Sequence, residues 1–374
     1  MKKDPIVRIQ DLVGLVNSLY PPALAEEWDN VGLQVGDPAA EVQKALICLD
    51  PSEKALTAAR EAGAQALIAH HPLIFHPLKN LLPTDETGKV LYRAVREGVA
   101  VFCAHTNLDR GKDGLNDWLA LALGIVRPQP LASGNNLVKL VVFVPQGHEE
   151  AVSEALFAAG AGHIGAYDRV SFRSPGQGSF RPGPGAAPFI GTVGETEKVE
   201  EFRLEVILTR DVVSKAVSRM IKAHPYEEVA YDLIPLLNTD TGVGLGRIGR
   251  LPEAMSLGDF SAQVKRALSL SSLRVVGSSD RKVSKVAVCG GSGTSLLNEA
   301  KRQGADVLVT GDVKYHEALN AESQQIALID AGHFGTERLM VPGLARVLRN
   351  EAASKKLDIE FIEMQGDADP FKVV

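Results

Sequence analysis

Apolar residues recur at helical spacing from Ile9 to Leu19 and stop before Pro21 and Pro22, which predicts an opening helix. From Lys44 the pattern changes. A strand-length apolar run over Ala45 to Leu49 leads to a helical pattern over Ser52 to Ala62 and a second apolar run over Ala66 to Ala69. A helical pattern over Gly88 to Glu97 and a third run over Val99 to Ala104 follow. Strands alternating with helices of this length predict an α/β layer architecture with right-handed crossovers. Ahead of them, the turn-rich stretch from Glu27 to Asp37 mixes polar side chains with glycines around a short strand, which suits a surface loop or a cavity wall.

The same pattern returns near the other end. Lys44 through His71 lies over Lys285 through Asp312 without a gap, pairing Cys48 with Cys289, Leu56 with Leu297, and Gly63-Ala64 with Gly304-Ala305. His105-x-x-x-Asp109 likewise lies over His333-x-x-x-Glu337, each just after an apolar strand. The expected fold is therefore two similar α/β/α core subdomains from an internal duplication, residues 1–127 and 249–374. Their strand ends, where ligands collect in such sheets, would meet at a shared cleft. Residues 128–248 read differently. Strand-like runs (Leu137 to Val144, Phe202 to Leu208) and helix-like runs (Glu149 to Ala159, Asp211 to Ala223) predict an inserted α+β domain. The Gly/Pro-rich stretch Ser174 to Gly194 reads as a mobile loop, since it opens no helix and lacks the lysine of a phosphate-binding loop.

With 374 residues, 45% hydrophobic and 23% charged, the chain is globular and long enough for two or three domains. Its net charge of -6, with no lysine or arginine block, lacks the footprint of a duplex-binding protein, so no nucleic-acid partner is expected. No apolar run suits a membrane span or a signal peptide, and the expected compartment is the cytoplasm. Cys48, Cys103 and Cys289 each sit inside an apolar run and read as buried small hydrophobes.

The chemistry concentrates at strand ends. His70 and His71 close the run Ala66 to Ala69, and Pro72 stops the strand. Neighbouring side chains of an extended segment point to opposite sides, so the pair suits two adjacent ions better than one. His105 with Asp109, and His333 with Glu337, fall at comparable ends. Thr336 reads as an N-cap, making His333 a loop residue and Glu337 a first-turn residue, not a helical i, i+4 pair. Histidines with two carboxylates and no thiolate suit two divalent ions such as Zn, Mn, Fe or Ni, bridged by a carboxylate and a water. A bridging solvent would be available as hydroxide, the expected nucleophile of a metal-dependent hydrolase.

The segments Ile68 to Phe75, Ala104 to Asp109, Thr310 to Ala318 and Asp330 to Glu337, with Trp28-Asp29-Asn30-Val31-Gly32-Leu33, closely resemble the Nif-three-like family of dinuclear-metal proteins. Its bacterial members are often labelled GTP cyclohydrolase 1 type 2 homologues. The resemblance implies that His70, His71, Asp109, His333 and Glu337 are metal ligands, with Glu337 bridging two ions. It also implies a toroidal homohexamer and, for residues 128–248, a PII-like or CutA-like domain.

Weaker candidates surround this set. His105 reads as a partner that orients a ligand or as packing. Asp312 and His316 are expected to line the pocket, and His76 to be structural. The turn Gly290 to Ser295 could offer backbone N–H groups to a substrate phosphate. His224 and Glu227-Glu228 could form a metal or regulatory site, although solvated surface is the plainer reading. The leading function is a hydrolase acting on a small nucleotide-like or phosphoester substrate. The alternatives are a non-enzymatic ring that handles metal or senses a ligand, and a structural hub whose ions only lock the halves together.

Overall fold

The computed structural model describes residues 6–133, 137–238 and 242–372. The chain forms two compact units, one comprising Met1–Ser133 with Thr241–Val374 and the other Gly134–Asp240. The predicted opening helix is present as Ile9–Leu19. The helices that follow start and stop where the sequence supplies caps. Ser52 accepts from Ala55 N at the start of Glu53–Ala62, Asp85 accepts from Gly88 N at the start of Glu86–Glu97, and Gly63 and Gly98 close these helices in the left-handed conformation.

The larger unit holds two sheets. The first runs in the order Gly32–Val35, Ala100–Cys103, Ala66–Ala69, Lys44–Cys48, Glu360–Glu363, with the last four parallel and Gly32–Val35 antiparallel at the edge. The second runs Arg274–Val276, Ala327–Asp330, Val307–Thr310, Lys282–Val288, Gly244–Ser256, Val126–Ser133. Its three middle strands from Ala327–Asp330 to Lys282–Val288 are parallel, and Arg274–Val276 is the antiparallel edge. Strands buried on both faces explain the unbroken apolar runs read from the sequence. Their carboxyl ends deliver His70-His71, His105, Gly311-Asp312 and the segment around His333.

The sequence placed the boundaries of the middle segment too wide. Val126–Ser133 and Gly244–Ser256 pair with each other, and the latter with Lys282–Val288, so both belong to the second sheet. The smaller unit is an antiparallel sheet in the order Ser171–Phe180, Glu197–Thr209, Leu137–Pro145, Tyr231–Pro235, with helices Glu149–Ala159 and Val213–Ala223. Ser174 to Phe180, expected as part of a loop, is strand. Glycine and proline misled the reading there: Ser171–Phe180 is an edge strand, where Pro175 can occupy a position whose missing N–H breaks no central ladder.

Arg247 ties the second sheet to the helix Leu115–Ala122. It is 1% exposed, and its guanidinium donates to both carboxylate oxygens of Asp117 (2.5 and 2.9 Å) and to the carbonyls of Gly111, Gly244 and Gly246. Replacing it leaves these acceptors without their donor. Arg247→Met is expected to lower stability by about 3 kcal/mol or more, read as a fall in the urea midpoint. Arg247→Lys should not restore the loss, because an ammonium cannot reproduce the planar fork.

Candidate metal centre

Four histidines converge at the strand ends, and each has its Nδ1 paired with an oxygen. His70 Nδ1 lies 2.8 Å from Ala104 O, His71 Nδ1 2.7 Å from Asp50 Oδ1, His105 Nδ1 2.9 Å from Asp29 Oδ1, and His333 Nδ1 2.7 Å from Asp312 Oδ2. A carbonyl or a carboxylate can only accept, so Nδ1 carries the proton in every ring. That fixes the tautomer and leaves Nε2 as the free donor atom.

Three of these Nε2 atoms face Glu337, which is 3% exposed. His71 Nε2 and His333 Nε2 each lie 2.9 Å from Glu337 Oε2 and 3.2 Å from each other. Ligand atoms around a tetrahedral zinc with bonds near 2.0–2.1 Å stand about 3.3 Å apart, so this triangle is slightly tighter than one face of such a site. On the other side, His70 Nε2 lies 3.8 Å from Glu337 Oε1 and 3.6 Å from Asp109 Oδ1. His70 Nε2 and Asp109 Oδ1 are buried with no hydrogen-bond partner. Orphaned donors of this kind ask for a ligand. Two donor groups therefore fit a metal ion, His71 with His333 and Glu337, and His70 with His71 and His105. His70 Nε2 also faces Asp109 and Glu337, and the second group contains both adjacent histidines. Their rings are tilted by 45° with centroids 5.2 Å apart, and the donor atoms of the group lie within 4.8 Å of one another.

The expected geometry of the last pair is also corrected. His333–Glu337 is itself a short helix with Gly332 ahead of it, so His333 and Glu337 are an i, i+4 pair on one helical face. Thr336 is not an N-cap. Its hydroxyl donates to the carbonyls of Gly332 and His333 and accepts from Gly291 N. Gly291, in the left-handed conformation at φ +60°, lies so close that a Cβ would stand 2.3 Å from Glu337 Oε1. Asp312 also adopts a left-handed conformation, at φ 55°, which Asp tolerates better than most residues and which brings its carboxylate to His333.

Several other expectations resolve. Gly290, Gly291 and Gly293 donate their N–H groups to Asn116, Thr336 and Thr310, which removes them as a phosphate cradle. His316 is exposed on the helix Tyr315–Ser323 with its ring against Tyr315 and lies outside the cleft lining, because Asp312 to Lys314 carry the chain away before that helix begins. His76 packs beside Phe75. In the smaller unit, His224 has both nitrogens engaged, Nε2 with Phe143 O and Nδ1 accepting from Tyr226 N, and Glu227 accepts from Ala187 N. Asp29, although it stands in the Trp28–Leu33 motif, and Asp50 were not read as partners of the histidines. Asp50 had a signal, lying two residues beyond the strand Lys44–Cys48 and so at the same sheet edge as His70-His71.

The electrostatics match a site built for cations. Burial opposes charge on His71, but hydrogen bonds to Asp50 and Glu337 outweigh it and push the imidazole up to about 10. His333 is pushed up to about 9, chiefly by its hydrogen bond to Glu337. Burial raises Asp109 to about 7. Burial also opposes ionisation of Glu337, yet the three imidazoles hold its carboxyl well below the usual range. Asp29, although half buried, is held near about 2 by His105 and Thr106. Without metal, the elevated His71 and His333 stabilise the fold fully below the ordinary 6.5, and this contribution is lost as pH rises through about 9 and 10. A metal ion must displace those protons. Loading stripped protein at pH 8 is expected to release about two protons, seen as a buffer-dependent enthalpy in titration calorimetry. Affinity should climb between pH 7 and 9, and a flat profile would contradict this assignment.

The family model for Duf34/NIF3 (NGG1p interacting factor 3) matches residues 7–370. A relative named GTP cyclohydrolase 1 type 2 homolog, from Halalkalibacterium halodurans, is 42% identical over 367 residues, covering 98% of each chain. One of the same name from Bacillus subtilis is 41% identical over 364 residues, covering 97% of each. Among solved structures, a Bacillus cereus protein related to NIF3 has 43% identity and a TM-score of 0.83, covering 99% of this chain and 100% of that one.

Proposed function

Because the chain belongs to the Duf34/NIF3 family, we propose that it binds two divalent ions and acts as a metal-dependent hydrolase on a nucleotide-like or phosphoester substrate. The observation that carries this reading is the set of imidazoles, each locked through Nδ1, around one buried carboxylate. His70 with Asp109 would hold one ion and His71 with His333 the other, with Glu337 shared between them. Zn, Mn, Fe and Ni all suit this donor set. When bound, such a pair supplies Lewis acidity and makes solvent held between the ions acidic.

The protein's own part is positioning. Asp50 and Asp312 orient the two more open histidines, and the Ala104 carbonyl orients the buried His70. His105, held by Asp29, lines the cleft beside His71 and Glu337, where it can hold or receive a proton at Nε2. We read the duplicated halves, expected at residues 1–127 and 249–374, as centred on the two sheets of the larger unit, supported by a run of parallel strands, four in the first sheet and three in the second, beside an antiparallel edge strand in each. We read the middle domain as PII-like or CutA-like. Its β-α-β-β-α-β order, with the first and last strands adjacent at the sheet's centre and edge, supports that. A cytoplasmic homohexamer completes the proposal. Among the described residues no helix is long and apolar enough to cross a membrane.

A second reading, metal handling without turnover, draws on the openness of one position: the His333 side chain is 37% exposed, whereas that of His70 is 0% exposed. Anomalous scattering from untreated crystals should find about two ions per chain. His70→Ala should lose the buried ion first, Glu337→Ala both, and each should abolish turnover in a panel of GTP and phosphoesters with Zn, Mn or Fe restored. Mutants as active as the parent would sink the hydrolase reading, and filled sites without turnover would favour metal handling.

A further inference from the structure

Trp28 and Phe75 stand at the metal cleft. Both line it, with His71, His105, Asp109, His333 and Glu337 among the other walls of a cavity of about 690 Å³. Their ring centroids are 5.8 Å apart and the planes tilted by 58°, while the Trp28 ring meets His105 edge-on at 6.1 Å. Trp28 is 60% exposed and Phe75 43%. Two large aromatic side chains left this open beside a polar centre form a notch in which a flat ring can stack on one face and contact the other ring at an angle.

The charge around the notch limits what that ring can carry. Asp29, Asp50, Asp109, Asp312 and Glu337 surround the imidazoles, and two divalent ions would offset only part of this negative charge. Glu26, at the rim, is paired with Arg110. Among the described residues lining the cleft there is no lysine or arginine. The adjoining cavity brings Lys314, but sets Asp312 and Glu317 beside it with the hydroxyls of Ser292, Thr294 and Ser295. A triphosphate chain carries about four negative charges, and beyond the metal positions, whose charge the carboxylates already offset, the cleft lining offers it no lysine or arginine. We propose that this cleft takes a planar heteroaromatic compound without a polyphosphate chain, its ring stacked against the face of one of Trp28 and Phe75 and meeting the other at an angle. The inference rests on the hydrolase reading for the presence of a substrate, and narrows its class.

Trp28 itself reports the test. The chain has two tryptophans and the other, Trp118, is buried, so ligand-induced quenching that disappears in Trp28→Phe belongs to the cleft. Guanosine, guanosine monophosphate and GTP present one ring with increasing charge and would be titrated into metal-loaded, desalted protein and into chelator-stripped protein. Guanosine is expected to bind most tightly and GTP at least about tenfold more weakly, with the gap narrowing in salt. Trp28→Ala and Phe75→Ala should each weaken guanosine by about tenfold, measured by calorimetry. GTP binding as tightly as guanosine, no binding by either, or unchanged affinity in both variants would overturn the proposal. Quenching without turnover would count against the hydrolase reading alone, whereas turnover without ring stacking would count against this inference alone.

Discussion

A carboxylate taken out of water must be compensated on the spot, and Glu337 is almost wholly buried. One of its oxygens faces two imidazole nitrogens at hydrogen-bonding distance, and the other faces His70 and the glycine turn at Gly291. Protons can satisfy this arrangement only by raising His71 and His333 far above their ordinary range. On the His70 side even that is missing, since His70 Nε2 and Asp109 Oδ1 are left without partners. Cations on both sides of Glu337 would relieve both conditions at once.

The fold exists to bring this carboxylate and its partners together. Parallel strands end in the same direction, so the carboxyl ends of one sheet gather His70, His71 and His105, and those of the other gather Asp312 and the His333 helix. The approach is close enough that side-chain size becomes decisive, as Gly291 shows. Arg247 joins a strand of the second sheet to the helix that follows Thr106–Arg110, the short helix carrying Asp109, with its charge buried and its donors shared among five acceptor atoms. The site's geometry therefore depends on how the two sheets are braced, as well as on the groups that touch the cleft.

The two positions flanking Glu337 are unequal. His70 is fully buried and oriented by a backbone carbonyl, which carries no formal charge. His71 and His333 are partly exposed and oriented by carboxylates, which make their imidazoles more basic. Ions held at a dry position and a wet one would exchange at different rates. Trp28, Phe75 and His105 line the same cleft.

Periodicity in the sequence was enough for the helix Ile9–Leu19, for the strand Ala66–Ala69 that ends at His70-His71, and for the alternating plan of strands and helices. These are local matters, set by apolar spacing, caps and strand-stopping prolines. Local rules failed where context outweighed propensity. Gly332 and Gly335 hid the short helix that carries His333 and Glu337, and glycines with Pro175 hid the edge strand Ser171–Phe180. Which carboxylate stands behind which histidine was illegible for another reason. Asp29 and His105, or Asp50 and His71, are far apart along the chain and meet only when strands align, and no periodicity records that meeting. The sequence by itself determined which residue types stand at the strand ends. Only the tertiary structure decided which oxygen holds each Nδ1, which donors are left buried and unpaired, and which aromatic rings stay open above them, because all three depend on distances across the packed sheets.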